Sequence, residues 1–188
     1  MEIFLQIWGG SCYLANKVCF AFSEGKDAGN RIRVFGWVAY ILGVPPWVII
    51  LVGNQNWIAA SIEAGGLPAM FLGLYVSWNL GKRPGKWVYW LVTFLTYAAL
   101  AIGVTNSLYV YGGFTSLSQF FEIGVMFGFL LSGYYIAKDK SVGWLYFILG
   151  NISMAALMYI EGAPILMTQQ LISLVFVIYG YRKALQNS

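Results

Sequence analysis

Four polar side chains lie inside stretches that are otherwise apolar enough to cross a membrane. The third stretch contains a carboxylate, Glu63, and no basic residue lies near it in the sequence. The sixth stretch has Asn151 at its centre, and the seventh contains Gln169 and Gln170. Such groups are costly in hydrocarbon unless they are paired or face a ligand. A carboxylate attracts a cation, and amides offer donors and acceptors, so these residues predict a site for a small polar solute.

Each of these residues also has a purely structural interpretation. Glu63 could lie at the mouth of the bundle and reach outer water, and the amides could hydrogen-bond between helices and hold them together. Trp37, Trp144 and Tyr179 are candidates for stacking against a planar or cationic ring of the solute. For any single one of these aromatic residues, helix packing is the favoured explanation. The sequence leaves both interpretations open.

No pattern of residues indicates catalysis or metal binding. The sequence contains no histidine, which removes the commonest general base and metal ligand. Cys12 and Cys19 lie seven residues apart on one predicted helix, so they cannot bridge each other there. We therefore predict a protein that is not an enzyme, with no catalytic residue, no metal site and no cofactor.

The composition predicts an all-α polytopic membrane protein whose surroundings are the lipid bilayer. Of the 188 residues, 60% are hydrophobic and 10% are charged, whereas soluble domains contain about 25% charged residues. A spanning helix needs about 20 mostly apolar residues. We predict seven transmembrane helices, at residues 3–22, 34–52, 57–80, 87–110, 117–137, 143–160 and 164–181. Pro45 and Pro46 should kink the second, and Ser116 with Gln119 forms a capping box before the fifth.

Lysine and arginine residues cluster in alternate connections between the predicted spans. All but one of the 11 basic residues lie before span 2, before span 4, before span 6 or after span 7. The positive-inside rule makes that side cytoplasmic and places the N-terminus outside. Because the basic residues are explained as topology signals, we expect no nucleic acid partner. The exception, Lys17, lies near the inner end of span 1 and is expected to snorkel to the same side.

The chain contains a weak internal repeat at an ungapped offset of 107 residues. The matched positions are Gly36 with Gly143, Trp37 with Trp144, Glu63 with Gln170, and Gly73 with Gly180. The offset relates spans 2 and 3 to spans 6 and 7 and leaves span 4 unmatched. We therefore predict two parallel three-helix repeats, residues 1–80 and 114–188, joined by a connector helix within residues 81–113. Parallel repeats are typical of transporters that bind their substrate between the halves, near the middle of the membrane.

The runs GWLYFILGN at 143–151 and TQQLISLVFVIYGY at 168–181, together with this layout, resemble the PnuC-type vitamin transporters. The resemblance implies a SWEET-like fold in the inner membrane of a bacterium. It implies facilitated diffusion of a vitamin or nucleoside such as nicotinamide riboside or thiamine, and it implies that Asn151, Gln170 and Tyr179 line the pocket. Glu63 stands where that family usually has glutamine, and its carboxylate would favour the fixed positive charge of these two vitamins.

Other function classes stay open at the level of the sequence. One is a non-transporting inner-membrane protein of the same layout, in which the polar residues only hold helices together. Another is a SWEET-like sugar facilitator, for which an uncharged pocket is expected. The sequence does not decide between a monomer and a homo-oligomer. A polar cavity reached by Glu63, Asn151 and Gln170 would favour a transporter over a non-transporting protein.

Overall fold

The computed structural model describes residues 2–24, 29–53, 62–80, 82, 84–113, 115–160, 162 and 164–186. These residues form seven helices and no strand, so the all-α prediction is confirmed for them. The helices are α1 (Glu2–Ser23), α2 (Gly29–Gly53), α3 (Leu67–Trp78), α4 (Lys86–Tyr111), α5 (Leu117–Ala137), α6 (Val142–Ile160) and α7 (Pro164–Gln186). Residues 62–65 form a further helical turn just before α3.

The predicted ends of the helices agree with the structure in part. Ser116 caps α5 as expected, because its hydroxyl accepts a hydrogen bond from the backbone N–H of Gln119 at 3.1 Å. α2 starts earlier than predicted, and it continues through Pro45 and Pro46, so the prolines do not end it. α7 continues to Gln186, so most of the expected polar tail is helical. The start of the predicted third span, residues 57–61, lies outside the described residues.

Within the described residues, four helices are long and apolar enough to cross a membrane. They are Arg31–Ile50 of α2, and α4, α5 and α6 over their full lengths. The exposed side chains of α4 include large apolar groups such as Leu91, Phe94 and Ile102. Apolar side chains on the outside of a bundle are what a lipid environment allows, so the structure is consistent with a membrane protein.

Contacts between the helices close a ring of six, with the seventh outside it. In order around the ring, α1 packs against α2, α2 against α3, α3 against α5, α5 against α6, α6 against α7, and α7 against α1. α4 packs only against α3 and α5 within the described part of the chain. The ring therefore brings residues from both ends of the sequence to one interior.

Two buried tryptophans pack against two glycines inside this ring. A Cβ atom on Gly73 would lie 2.2 Å from the Trp37 ring, and one on Gly180 would lie 2.4 Å from the Trp144 ring. Trp37 and Trp144 are 0% and 1% exposed. Only a residue without a side chain leaves room for either indole, so these glycines set the approach of α3 to α2 and of α7 to α6.

Close contacts at a second set of glycines relate α1 to α5. A Cβ on Gly43 of α2 would meet Tyr13, and one on Gly150 of α6 would meet Phe129. Phe129 stands 116 residues after Tyr13. Gly36 and Gly143 give the same spacing, because they meet Phe20 and Ile136 respectively. These two pairs of contacts on α1 and α5 are related by an offset of 116 residues, which differs from the 107-residue offset found in the sequence.

Candidate functional site

Tyr13 and Lys17 lie on one face of α1, because residues four apart fall on the same side of a helix. Both side chains are buried. The Tyr13 hydroxyl donates to the Glu63 carboxylate, with 2.5 Å between the hydroxyl oxygen and Oε2. Glu63 belongs to the helical turn that precedes α3, and it is half-buried. This hydrogen bond therefore ties α1 to the start of the third helix through a carboxylate.

The Lys17 ammonium forms the second polar contact on this face of α1. Its Nζ donates to Oδ1 of Asn151 on α6 at 2.9 Å, and Nδ2 of Asn151 donates to the carbonyl oxygen of Phe147 at 2.6 Å. The Lys17 Nζ also lies 5.1 Å from the centre of the Phe129 ring, which is a cation–π contact. Lys17 is only 2% exposed. The prediction that Lys17 snorkels to one side of the membrane is wrong, because an amide oxygen and an aromatic face hold its charge inside the bundle.

The two contacts put a positive and a negative group in one interior. The Lys17 charge acts on Glu63 at a distance, while each group has its own hydrogen-bond partner, Asn151 for Lys17 and Tyr13 for Glu63. Opposite charges in a low-dielectric interior depend strongly on each other, and removing one partner leaves the other uncompensated. The site therefore contains a basic and an acidic side chain, whereas the sequence analysis identified only the acidic one as a site residue.

Aromatic rings surround the two polar contacts. Tyr13 packs edge-on against Tyr40 of α2, with ring centres 5.2 Å apart. Tyr40 in turn lies 6.3 Å from Phe147 of α6, which lies 6.5 Å from Phe129 of α5. These aromatic rings exclude water from the Tyr13–Glu63 and Lys17–Asn151 hydrogen bonds and so strengthen them. Four helices thus contribute to one compact polar and aromatic cluster.

Gln170 of α7 is buried and carries unused hydrogen-bonding capacity. It is 3% exposed, and its Oε1 accepts no hydrogen bond within the described residues. One turn further along α7, the buried Ser173 hydroxyl also has no partner there. A buried polar group without a partner costs about 1–3 kcal/mol. These two groups are therefore available to a bound solute or a water molecule.

The other predicted site residues lie apart from these contacts. The Gln169 side chain packs against Gly10 of α1 and lines a surface groove with Pro164, Thr168 and Ile172. Tyr179 is 43% exposed, contacts the ring of Phe22, and has the Lys183 ammonium over its own ring at 5.4 Å. Trp37 and Trp144 fill the space beside Gly73 and Gly180 and are packing residues in this structure.

Polar contacts also link the helices at one end of the bundle, where α1 ends and α2 and α6 begin. The Arg33 guanidinium pairs with the Asp139 carboxylate at 2.8 Å. The Lys183 Nζ donates to the backbone carbonyl of Glu24 at 3.1 Å, and the Trp144 indole hydrogen-bonds the Glu24 carboxylate. Burial raises the pKa of the Glu24 carboxyl above its ordinary value, and the nearby Arg33 charge opposes that rise. We call this set of contacts the end closure.

Tyr13 and Lys17 are the site residues that the sequence analysis missed. Lys17 carried a signal, since it is the one basic residue that falls within a predicted span rather than between spans. Tyr13 carried a weaker one, its spacing of one helical turn from Lys17. Neither signal predicts which residue Lys17 contacts. Its partner Asn151 is 134 residues away in the chain, and a local sequence pattern does not identify so distant a neighbour.

A functional assignment of this chain rests on the positions of the side chains described above. Within the described residues, no group of three or more histidine, cysteine, aspartate or glutamate side chains could hold a metal ion. The polar contacts described above join α1 to the turn before α3 and to α6 by hydrogen bonds. Comparisons with known protein families, with curated proteins and with solved structures find no match to this chain.

Proposed function

We propose that this protein is a bacterial inner-membrane transporter that facilitates the uptake of a small polar vitamin or nucleoside, such as nicotinamide riboside or thiamine. The observation that carries the proposal is the pair of interior hydrogen bonds, Tyr13 to Glu63 and Lys17 to Asn151. They place a carboxylate, an ammonium and an amide where helices from the first and last thirds of the chain meet. Ionisable groups inside a membrane bundle are costly and mark solute or ion pathways.

The order of helix contacts supports two three-helix halves joined by α4. The contacts of α1 with α2, α2 with α3, and α3 with α5 have counterparts in α5 with α6, α6 with α7, and α7 with α1. The tryptophan–glycine contacts at Trp37 and Trp144 agree with the 107-residue offset. In transporters built from such repeats, the solute binds between the halves.

The chemistry of the interior supports a solute with several polar groups on a flat ring. Glu63 can attract a positive region, while Lys17 and Asn151 can hydrogen-bond carbonyl or hydroxyl oxygens. Gln170 adds an acceptor without a protein partner among the described residues. A bound solute would replace the Tyr13–Glu63 and Lys17–Asn151 hydrogen bonds, so that the groups stay satisfied in both states.

The proposal includes an orientation of the helix bundle in the membrane. The basic end of the bundle faces the cytoplasm, the N-terminus is outside, and the end closure at Arg33 and Asp139 must open for the solute to enter the cell. A reporter fused after Arg182 should read as cytoplasmic, and a reporter at Gly113 should read as external. An external reading after Arg182 would reverse the direction of the proposed uptake.

One observation favours a non-transporting protein as the second candidate. Lys17, Asn151 and Tyr13 already have protein partners, and aromatic rings fill the space around them, which is what residues that hold helices together require. A sugar facilitator receives less support, because the charges of Lys17 and Glu63 exceed what an uncharged sugar needs.

Gln170 provides the sharpest test between these candidates. Gln170→Ala removes a buried oxygen without a protein partner within the described residues, which offsets part of the packing lost with the side chain, so the protein should stay folded. Binding of a solute that uses this oxygen should weaken by about 0.5–1.5 kcal/mol. The measurement is uptake of radiolabelled nicotinamide riboside and thiamine into proteoliposomes, beside unfolding of the same samples. Gln186→Ala, at the exposed end of the same helix, is the matched control.

The outcomes separate clearly. Weaker uptake in Gln170→Ala at unchanged stability, with Gln186→Ala unaffected, supports the transporter. Loss of stability with no change in uptake assigns Gln170 to helix packing. Absence of saturable uptake of any vitamin or nucleoside by the wild-type protein would reject the proposal.

A further inference from the structure

A second cluster of lysines and hydroxyls lies away from the interior, in a groove between α4 and α5. The groove has a volume of about 340 Å³ and is lined by Lys86, Tyr89, Trp90, Thr93, Tyr134 and Lys138. Lys86 is the first residue of α4, and Lys138 immediately follows the last residue of α5. Both lysines therefore lie at the level of the helix ends, where the headgroups of a bilayer would surround the protein.

Hydroxyl groups fix one of the two cations at the floor of this groove. The Lys138 Nζ donates to the Tyr134 hydroxyl, and it lies 3.4 Å from the Thr93 hydroxyl oxygen. The Thr93 and Tyr134 oxygens are themselves 2.7 Å apart. The rings of Tyr134 and Tyr89 lie 4.2 and 5.5 Å from the same ammonium. Lys138 is thus held in place by α4 and α5 rather than free in solvent.

The groove contains positive charge that none of its described lining side chains neutralises. None of the described residues that line it is acidic. The acidic residue next in sequence, Asp139, pairs with Arg33 instead. Lys86 is exposed and has neither a hydrogen bond nor an ion pair within the described residues. Two ammonium groups at one groove call for an anion from outside the protein.

The outer wall of the groove is apolar and continues along α4, away from the lysines. Trp90 and Phe94 are 75% and 68% exposed, and Leu91 between them is exposed as well. A soluble anion would use only the lysines and hydroxyls. A molecule with an anionic head and hydrocarbon chains would use both the cationic groove and this apolar strip.

We propose that the groove between α4 and α5 binds an anionic phospholipid, with the phosphate near Lys86 and Lys138 and the acyl chains along Trp90 and Phe94. The phosphate oxygens would accept hydrogen bonds from the two ammonium groups, and the Tyr134 and Thr93 hydroxyls would add polar contacts. Such a lipid would fill the cleft between the peripheral helix α4 and the ring of the other helices. This assignment does not depend on the proposed transport function.

Native mass spectrometry of the full-length protein in mild detergent tests the proposal. The protein is offered an equimolar mixture of phosphatidylglycerol and phosphatidylcholine with the same acyl chains. We expect wild-type protein to retain phosphatidylglycerol about tenfold more, and either Lys86→Gln or Lys138→Gln to lower that retention about fivefold, since each interfacial lysine adds about 1 kcal/mol. Lys140→Gln is the matched control, because Lys140 is exposed nearby but does not line the groove.

Two results would overturn the proposal. Retention of phosphatidylglycerol by the Lys86→Gln/Lys138→Gln protein at the wild-type level would show that the lipid binds elsewhere. Displacement of the lipid by soluble glycerol 3-phosphate would show a site for a free phosphate. If Lys138→Gln fails to fold because the hydrogen bond to Tyr134 is lost, the phosphatidylglycerol retention of Lys86→Gln alone tests the proposal. Lys86 makes no such contact among the described residues.

Discussion

The two proposed halves of this protein agree in how they pack. Trp37 fits beside Gly73 in the first half, and Trp144 fits beside Gly180 in the second, with nearly the same close approach in each. Both indoles are buried. A large ring against a glycine leaves little freedom for either residue, because added volume has nowhere to go. Close packing is therefore what the halves have in common.

The halves differ at the positions that carry polar groups. The offset of 107 matches Glu63 of the first half with Gln170 of the second, and Val44 with Asn151. The offset of 116 matches Lys17 of the first half with Gly133 of the second, and Tyr13 with Phe129. No pair keeps the same charge and hydrogen-bonding capacity. The first half supplies both charges, and the second supplies the amides.

This difference indicates separate requirements for the frame and for the site. Packing of the helices requires the same tryptophan–glycine contact in both proposed halves. A site for one asymmetric solute requires each polar group in only one of them. The following predictions test whether packing and polar chemistry divide between the halves in this way, from the largest expected effect to the smallest.

Lys17→Met should have the largest effect. It removes the ammonium that donates to the buried Asn151 oxygen and lies over the Phe129 ring, which should lower the free energy of unfolding by about 3 kcal/mol, the upper end for a hydrogen bond to a charged group. Denaturant unfolding in detergent measures the change. Adding Glu63→Gln should restore part of the loss, because the uncompensated charge is then gone. A Lys17→Met protein as stable as Lys140→Met, an exposed control, would contradict the buried contact.

Gly73→Ala and Gly180→Ala should destabilise the protein by similar amounts. A methyl group at either position overlaps an indole, and overpacking of this kind costs about 1–3 kcal/mol. Gly53→Ala is the control, because a Cβ there meets nothing within 4 Å. The same unfolding measurement applies. A large loss at one glycine and none at the other would break the matching of the two halves.

Glu63→Gln makes the first half resemble the second at one matched position. It keeps the shape and removes the negative charge, so affinity for a cationic solute should fall about tenfold, or about 1.4 kcal/mol, relative to a neutral solute of similar shape. Binding of thiamine and of an uncharged nucleoside provides the comparison. The reciprocal protein Glu63→Gln/Gln170→Glu tests whether the carboxylate works from the other half. Equal losses for both solutes would show that Glu63 holds helices together.

Glu24 should give the smallest effect, through the pH dependence of stability. Burial raises the pKa of Glu24 in the folded protein, with Arg33 opposing the rise. The folded carboxyl then keeps its proton at pH values where the unfolded chain has lost it, so stability falls as the pH rises through the raised pKa. Glu24→Gln should flatten this part of a melting-temperature profile against pH. An unchanged profile would show that Glu24 does not titrate in the end closure.

Much of the helical frame could be predicted from the sequence. The ends of α5 follow from the capping box at Ser116 and from the apolar run, because both are local properties. The 107-residue offset matched Trp37 with Trp144 and Gly73 with Gly180, but only the structure shows that each tryptophan packs against one of these glycines. The start of α2 and the end of α7 were predicted less well, since polar residues continue a helix as readily as they end it.

The site could be predicted only in part. Asn151 and Gln170 were identified because amides inside an apolar run are exceptional, and the structure buries both. The prediction for Lys17 was wrong, because a lysine near a helix end has two ways to satisfy its charge. The sequence shows that the Lys17 side chain is long enough to extend to the end of the helix. It does not show that Asn151 and the Phe129 ring lie next to its ammonium group.

The sequence by itself determined the class of this molecule. An apolar content of 60% with few charges leaves helices as the way to satisfy the backbone, and helix periodicity places Tyr13 and Lys17 on one face of α1. The tertiary structure alone decided what that face meets. Partners 50 and 134 residues away, Glu63 and Asn151, come together because the ring closes α1 against α2 and α7. Periodicity gives the direction of a side chain, but the choice of its neighbour depends on the packing of every helix in the ring.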